Sequence, residues 1–431
     1  MRRLLAIVLM GAGAGTARAQ QPDSTATATM QVSLDEAVRR ALDVQPAMVQ
    51  AEGATRNAGA ARRTAYGAFL PLVTLGGSAS HSSVARPDPN GPGTIPSIWN
   101  YGSNLSASVD LFTGFRRIWT LRSASADVGA ADAGAVTQRF QVTLQTKQLF
   151  YNGIATEELV RVAEAQVRRA ALQLDVSVQK LHAGSATRSD SLRSAVDYGN
   201  ARIALLQAQA NLATAQANLG RQIGVDQPVR AIPDSQLPTP PDTATLRSVA
   251  IGSAPQVEQA DAQARAARAN VLANRTQYIP TLSLSYGANR RDTLFSNLVT
   301  GNPTHSWQFA LRWTLFNGFS REQSLVSANV QRDVAEAQAA DTRRAVNALL
   351  TQQIAALETA YQQIDIATVN VAAATEDLRV QQERYRVGAG TILDLLTSQA
   401  NLTQAQTNLV QARFNYLIAR AQLEALVGRS L

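Results

Sequence analysis

The sequence predicts an α+β membrane protein in which strands from several chains share one β-barrel. A long antiparallel α-helical coiled coil continues that barrel on one side. Three observations predict this: an internal tandem duplication, strand-length stretches of two-residue alternation, and two very long proline-free helical runs.

The duplication is read from position-locked identities. Gly184 matches Gly388 and Asp190 matches Asp394, both 204 residues apart, and the offset holds without a gap to Gly224 and Gly428. FTGF at 112–115 matches FNGF at 316–319 with the same spacing. Upstream, FLP ending at Pro71 matches YIP ending at Pro280, and Pro46 matches Pro255, both 209 apart. The five-residue difference therefore falls between Pro71 and Phe112, in a loop-like region. One repeat is expected over 20–226 and a second over 243–431, joined by a Pro-rich extended connector at 227–242.

Composition narrows the chemistry. Of 431 residues, 45% are hydrophobic but only 5% aromatic, with Ala, Leu, Val and Gln prominent, which suits long packed helices. The chain has no cysteine, which excludes disulfides, thiolate metal sites, a cysteine nucleophile and a Cys-borne lipid anchor. His81, His182 and His305 are far apart, so neither a metal site nor a catalytic triad is expected, and no cofactor is implied. Residues 1–19 have a basic start, an apolar stretch and a small-x-small end at Ala17–Arg18–Ala19, which predicts a secretory signal. Removing Arg2, Arg3 and Arg18 lowers the net charge from +8 to +5. The remaining bases are interspersed with acids, so nucleic acid is not an expected partner.

In chain order, each repeat reads as a short helix, a second helix, a strand pair, a very long helix, a tip turn and a long return helix. Strands are expected at about 70–82 and 98–112, and again at about 280–291 and 304–316. In the last of these, His305, Trp307, Phe309, Leu311, Trp313 and Leu315 alternate with Thr304, Ser306, Gln308, Ala310, Arg312 and Thr314. In the first repeat Trp99, Tyr101, Leu105, Val109 and Leu111 alternate with Asn100, Asn104, Ser106, Ser108 and Asp110. Such alternation, with Trp and Tyr near the ends, is the pattern of an outer-membrane barrel strand. A soluble antiparallel sheet with one wet face gives the same alternation. Trp99, Tyr101, Trp307, Phe309 and Trp313 are the expected aromatic girdle and lipid face.

The long helices are expected over 114–181 and 318–385, each about 100 Å at 1.5 Å per residue. The second return helix carries a heptad of Leu395, Leu402, Leu409, Tyr416 and Leu423, with Ala405, Ala412 and Ala419 on the same seam. The first carries Tyr198, Leu205, Leu212 and Leu219 with Ala201, Ala208 and Ala215. This is a coiled-coil seam. Four strands cannot close a barrel, so the chain is expected to oligomerise. A polar lumen joined to a helical tube is a conduit, and transport is the function this reading reaches. The competing class is a non-conducting periplasmic coiled-coil structural or adaptor protein.

The duplicated unit, the FLP/YIP strand starts, the LFxGF strand exits and the ending RYRVGAGTILDLLTSQANL… resemble the TolC-type outer-membrane efflux proteins over about 33–428. The resemblance implies a homotrimer with a twelve-stranded barrel in the outer membrane and a long periplasmic extension. It also implies a periplasmic adaptor (membrane fusion) protein and an inner-membrane pump of RND or ABC type, in tripartite efflux or type I secretion. On that resemblance Gly184, Val387 and Gly388 lie at adaptor-docking tips; for Gly184, a glycine needed only to turn the chain is the alternative. Asp190 and Tyr385 link neighbouring helices at the periplasmic entrance, and Asp394 faces the pore there; a helix-capping Asp394, three residues after Thr391, is the alternative. Gly390 and Thr397 stand where the archetype has a basic and an acidic residue, which implies a weaker lock. The transported substrate is not encoded in any of these features.

Overall fold

A computed structural model describes residues 30–81, 86–87, 91–92, 94–95, 99–233, 237–241, 254–297 and 301–431. The expected signal at 1–19 and the expected short helix opening the second repeat lie outside the described residues.

The first repeat runs β1 (Met30–Val32), α1 (Leu34–Val44), α2 (Pro46–Gly67), β2 (Leu72–His81), β3 (Arg86–Pro87), β4 (Thr94–Ile95), β5 (Trp99–Phe112), α3 (Arg116–His182) and α4 (Arg188–Gln222), and β6 (Val229–Ala231) follows in the connector. The second runs α5 (Pro255–Arg275), a 3-10 turn, β7 (Thr281–Asp292), β8 (Thr304–Arg312), α6 (Ser320–Arg386) and α7 (Ile392–Val427). Both long helices are 67 residues, about 100 Å. Prolines punctuate the two copies alike. Pro46 and Pro255 open α2 and α5, where a missing N–H costs nothing.

One antiparallel sheet has the order β2-β5-β7-β8. The two repeats meet at β5–β7, and all four helical connections leave from the same end of the sheet. β8 stops at Arg312, short of the expected 316. Its last rung is Thr281↔Arg312, and the next partner would be Pro280, which has no N–H to donate. Trp313 instead donates from Nε1 to the Tyr278 carbonyl at 3.2 Å. A bulge between Asp110 and Phe112 shifts the phase of β5, so Phe112 rather than Leu111 pairs with Leu282.

The helices pack as the heptads require. Leu395, Leu402, Tyr416 and Leu423 are buried with Ala405, Ala412 and Ala419. Leu219, Ala201 and Ala215 are buried in the first copy, where Tyr198, Leu205 and Leu212 are half-buried. A parallel pair, Met30–Val32 on Val229–Ala231, ties the segment before α1 to the connector. The pair shares a core with Phe150, Leu219 and Ile223. Further along, the connector is strapped to α7: Tyr416 Oη donates to the Pro238 carbonyl at 2.7 Å, and Arg420 to that of Thr239 at 3.2 Å.

Candidate functional site: the four-stranded sheet and the helix tips

The sheet separates polar from apolar residues by row. Thr74–Ser106–Gly287–Ser306 and Gly76–Asn104–Asn289–Thr304 cross all four strands on one face. Val73–Ala107–Tyr286–Trp307 and Leu75–Leu105–Ala288–His305 cross on the other. Val109–Leu284–Phe309 and Phe112–Leu282–Leu311 continue that apolar face toward the helices. Trp307, Phe309 and Leu311 are about 70% exposed in the single chain, so this face has no cover of its own. Among the residues expected to form the girdle, Trp99 stacks on Tyr101 and lies tilted against His81 at the loop end, and Trp313 lies at the helix end. Trp307 and Phe309 sit between these two levels. Tyr286 Oη and His305 Nδ1 are 2.7 Å apart on the apolar face.

At the other extreme of the helices the two tips are built alike. Gly184 and Gly388 take φ of 73° and 81°, the left-handed region that glycine enters without a Cβ clash. Ser185 N–H donates to the Lys180 carbonyl at 2.9 Å, and Ala389 N–H to that of Arg384 at 2.8 Å, closing each helix end. Val387 is exposed beside Gly388. Return helices then start with matched capping boxes. Asp190 Oδ2 accepts from Thr187 N–H at 3.0 Å while Asp190 N–H donates to Thr187 Oγ1 at 3.2 Å. Asp394 and Thr391 repeat this at 3.2 and 3.2 Å. The Thr391 hydroxyl and amide bonds, with help from Arg384, hold the Asp394 carboxyl below its ordinary value.

Asp190 and Tyr385 are not joined within the chain. The Asp190 carboxylate caps its own helix, and the buried Tyr385 hydroxyl has no hydrogen-bond partner among the described residues. What meets Tyr385 is Lys180, which sequence reasoning missed. Its ammonium lies 4.2 Å from the Tyr385 ring centroid and donates to the Tyr385 carbonyl. The available signal was composition: Lys147 and Lys180 are the only two lysines in the sequence. Both lie on α3, and both reach the second repeat. Lys147 pairs with Glu424 of α7, whose other oxygen faces Arg420 at 3.5 Å and accepts from Leu431 N–H at 3.3 Å. Among the described residues no group of three His, Asp or Glu could hold a metal ion.

Residues 37–225 and 246–429 each match the family described as outer membrane efflux protein. The pyoverdine export outer membrane protein OpmQ of Pseudomonas aeruginosa is 28% identical over 399 residues, covering 86% of this chain and 80% of the relative. Protein CyaE of Bordetella pertussis is 26% identical over 383 residues, covering 87% and 79%. Among solved structures, the outer membrane protein VceC of Vibrio cholerae superposes with a TM-score of 0.79 at 18% identity, covering 92% of this chain and 96% of that one.

Proposed function

Because this chain belongs to the outer membrane efflux protein family, we propose that three copies assemble into one twelve-stranded barrel and one helical tunnel that passes substrates across the outer membrane. The chain is an outer-membrane efflux protein and not an enzyme. The observation that carries the trimeric reading is the open sheet. Among the described residues, β2 and β8 each leave one edge unpaired, on a four-stranded wall with a polar and an apolar face. An open edge cannot face lipid, because its backbone groups would lack partners. β2 and β8 run in opposite directions, so the β8 edge of one copy fits the β2 edge of the next as an antiparallel neighbour. The return helix α4 supports the same assembly, since Leu192, Val196, Ile203 and Leu206 form an exposed apolar stripe at coiled-coil spacing.

At the far end, the glycine tips at Gly184 and Gly388, with Val387, are the docking points for a periplasmic adaptor that connects to an inner-membrane pump. The same tips close the entrance. Lys180 on Tyr385 is the clasp that holds the two hairpins of one chain together there, and the three Asp394 carboxylates give the entrance a negative ring even while each caps its helix.

Cysteine pairs test the assembly in this cysteine-free chain. Thr74→Cys on β2 is combined in turn with single cysteines along β8, from Ser306→Cys to Ala310→Cys. Within one chain β2 and β8 are three strand spacings apart, about 14 Å, too far for a disulfide. Oxidation in the membrane should therefore give covalent trimers at one register. Monomers alone at every position would contradict the shared barrel.

A further inference from the structure

We propose that the two Gly-Phe corners between strand and long helix, Gly114–Phe115 and Gly318–Phe319, are membrane-depth anchors. Their phenyl rings seat in the headgroup–acyl boundary of the periplasmic leaflet. The starting observation is conformational. Phe115 and Phe319 have φ of 68° and 64°, and they are the only non-glycine residues with positive φ among the described residues. A bulky L-residue is disfavoured in that region. A glycine would be relaxed there, and the chain already uses glycine one position earlier, at φ of 62° and 66°.

Strain of this kind is normally offset by packing, yet these rings are 59% and 70% exposed. Each touches one other ring edge-on: Phe115 with Phe112 at 5.7 Å, Phe319 with Phe316 at 5.4 Å. The duplication repeats the arrangement 204 residues apart, although the residue before the glycine differs, Thr113 against Asn317. The scaffold behind each ring is repeated too. Arg117 lies 4.8 Å over the Phe69 ring and donates to the Ala68 and Leu111 carbonyls. Arg321 lies 4.6 Å over the Tyr278 ring and donates to those of Thr314 and Leu315. These arginines fix the corner from within and leave the phenyl rings outside it.

What covers the rings is set by continuity with the barrel wall. Phe112 belongs to the outward apolar row with Leu282 and Leu311, one rung from where the helices leave. Trp313, Leu315 and Phe316, all exposed, follow β8 on the way to the second corner. The membrane-facing wall therefore ends in a collar of aromatic rings at the level where hydrocarbon gives way to headgroups. Aromatic residues partition to that boundary. The inference rests on the outer-membrane placement of the barrel and adds the residues that set its depth.

The full chain with Ser320→Cys carries a single nitroxide and is reconstituted in phosphatidylethanolamine/phosphatidylglycerol vesicles. Its depth is read from relative accessibility to oxygen and to a water-soluble nickel chelate. Two double variants are compared, Phe115→Gly/Phe319→Gly, which removes ring and strain, and Phe115→Ala/Phe319→Ala, which removes the ring alone. Both should raise nickel accessibility severalfold. In detergent, the glycine variant's oligomer should dissociate at the same or a higher temperature. Unchanged accessibility in both variants would overturn the proposal. So would a lower dissociation temperature of the glycine variant, which would place the rings against a neighbouring copy instead of lipid. Flotation of the unlabelled protein with vesicles separates the two readings, because its loss would remove the barrel placement itself.

Discussion

Lys180, near the end of α3, holds its ammonium over the Tyr385 ring near the end of α6 and donates to the carbonyl of the same residue. A cation–π contact of this partly exposed kind stabilises by about 0.5–1 kcal/mol. A charge-assisted hydrogen bond contributes about 1.5–3 kcal/mol. At about 2 kcal/mol per chain, three copies reach the roughly 5.5 kcal/mol that moves a two-state closure from 99:1 to 1:99. Lys180→Met should therefore raise open probability strongly in planar bilayers. Tyr385→Phe should leave it unchanged, because the hydroxyl has no partner among the described residues to lose. An opening effect of Tyr385→Phe would instead place that hydroxyl on a neighbouring chain.

Acid should loosen the tip of the second hairpin. The Asp394 carboxyl is held low by Thr391, so its contribution is fully present above the unfolded value of about 3.9 and is lost as pH falls through the lower folded value. Amide protection around 387–396, taken relative to the intrinsic exchange rate at each pH, should fall below about pH 4 in the natural chain. Asp394→Asn should exchange faster at neutral pH and lose the acid dependence.

The inside and outside of the wall separate at adjacent positions of β8. Phe309, opposite Leu284, lies closer to mid-strand than Leu311, which is one rung from the ladder's end. Phe309→Arg should cost about 2–4 kcal/mol per chain if its level is the bilayer midplane, and should prevent oligomers. Gln308→Arg, on the polar row, should assemble and shift ion selectivity. Equal tolerance would reverse the assignment of faces.

Between the repeats, Lys147 and Glu424 are only 18% and 10% exposed at their side chains. Glu424→Gln strands the ammonium and should destabilise by roughly 3 kcal/mol, seen as a lower melting temperature. Lys147→Met with Glu424→Gln should recover most of that loss, since no ammonium is then stranded and the side-chain amide oxygen at 424 can still accept from Leu431 N–H.

Features with a repeating period were legible in the sequence; features set by single distant contacts were not. Leu402, Tyr416 and Leu423 declared the α7 seam because burial recurs every seven residues. The strand faces followed from alternation until the bulge at Asp110–Phe112 altered the phase, which no periodicity encodes. The β1–β6 pair was invisible: three residues are too few to alternate, and the partners lie 199 positions apart at Met30 and Val229. At the tip, the alternative of Asp394 as a helix cap was readable from Thr391 three residues earlier. The Lys180–Tyr385 contact joins side chains 205 positions apart in sequence, and no local pattern marks it.

The central claim is that three chains make one conducting pore. Its most direct test is single-channel recording of the detergent-extracted, mass-measured oligomer in planar bilayers, for the natural chain and for Lys180→Met. A trimer with small or infrequent openings, which become larger or longer-lived in the variant, is the expected result. A monomer that conducts in neither form would contradict it.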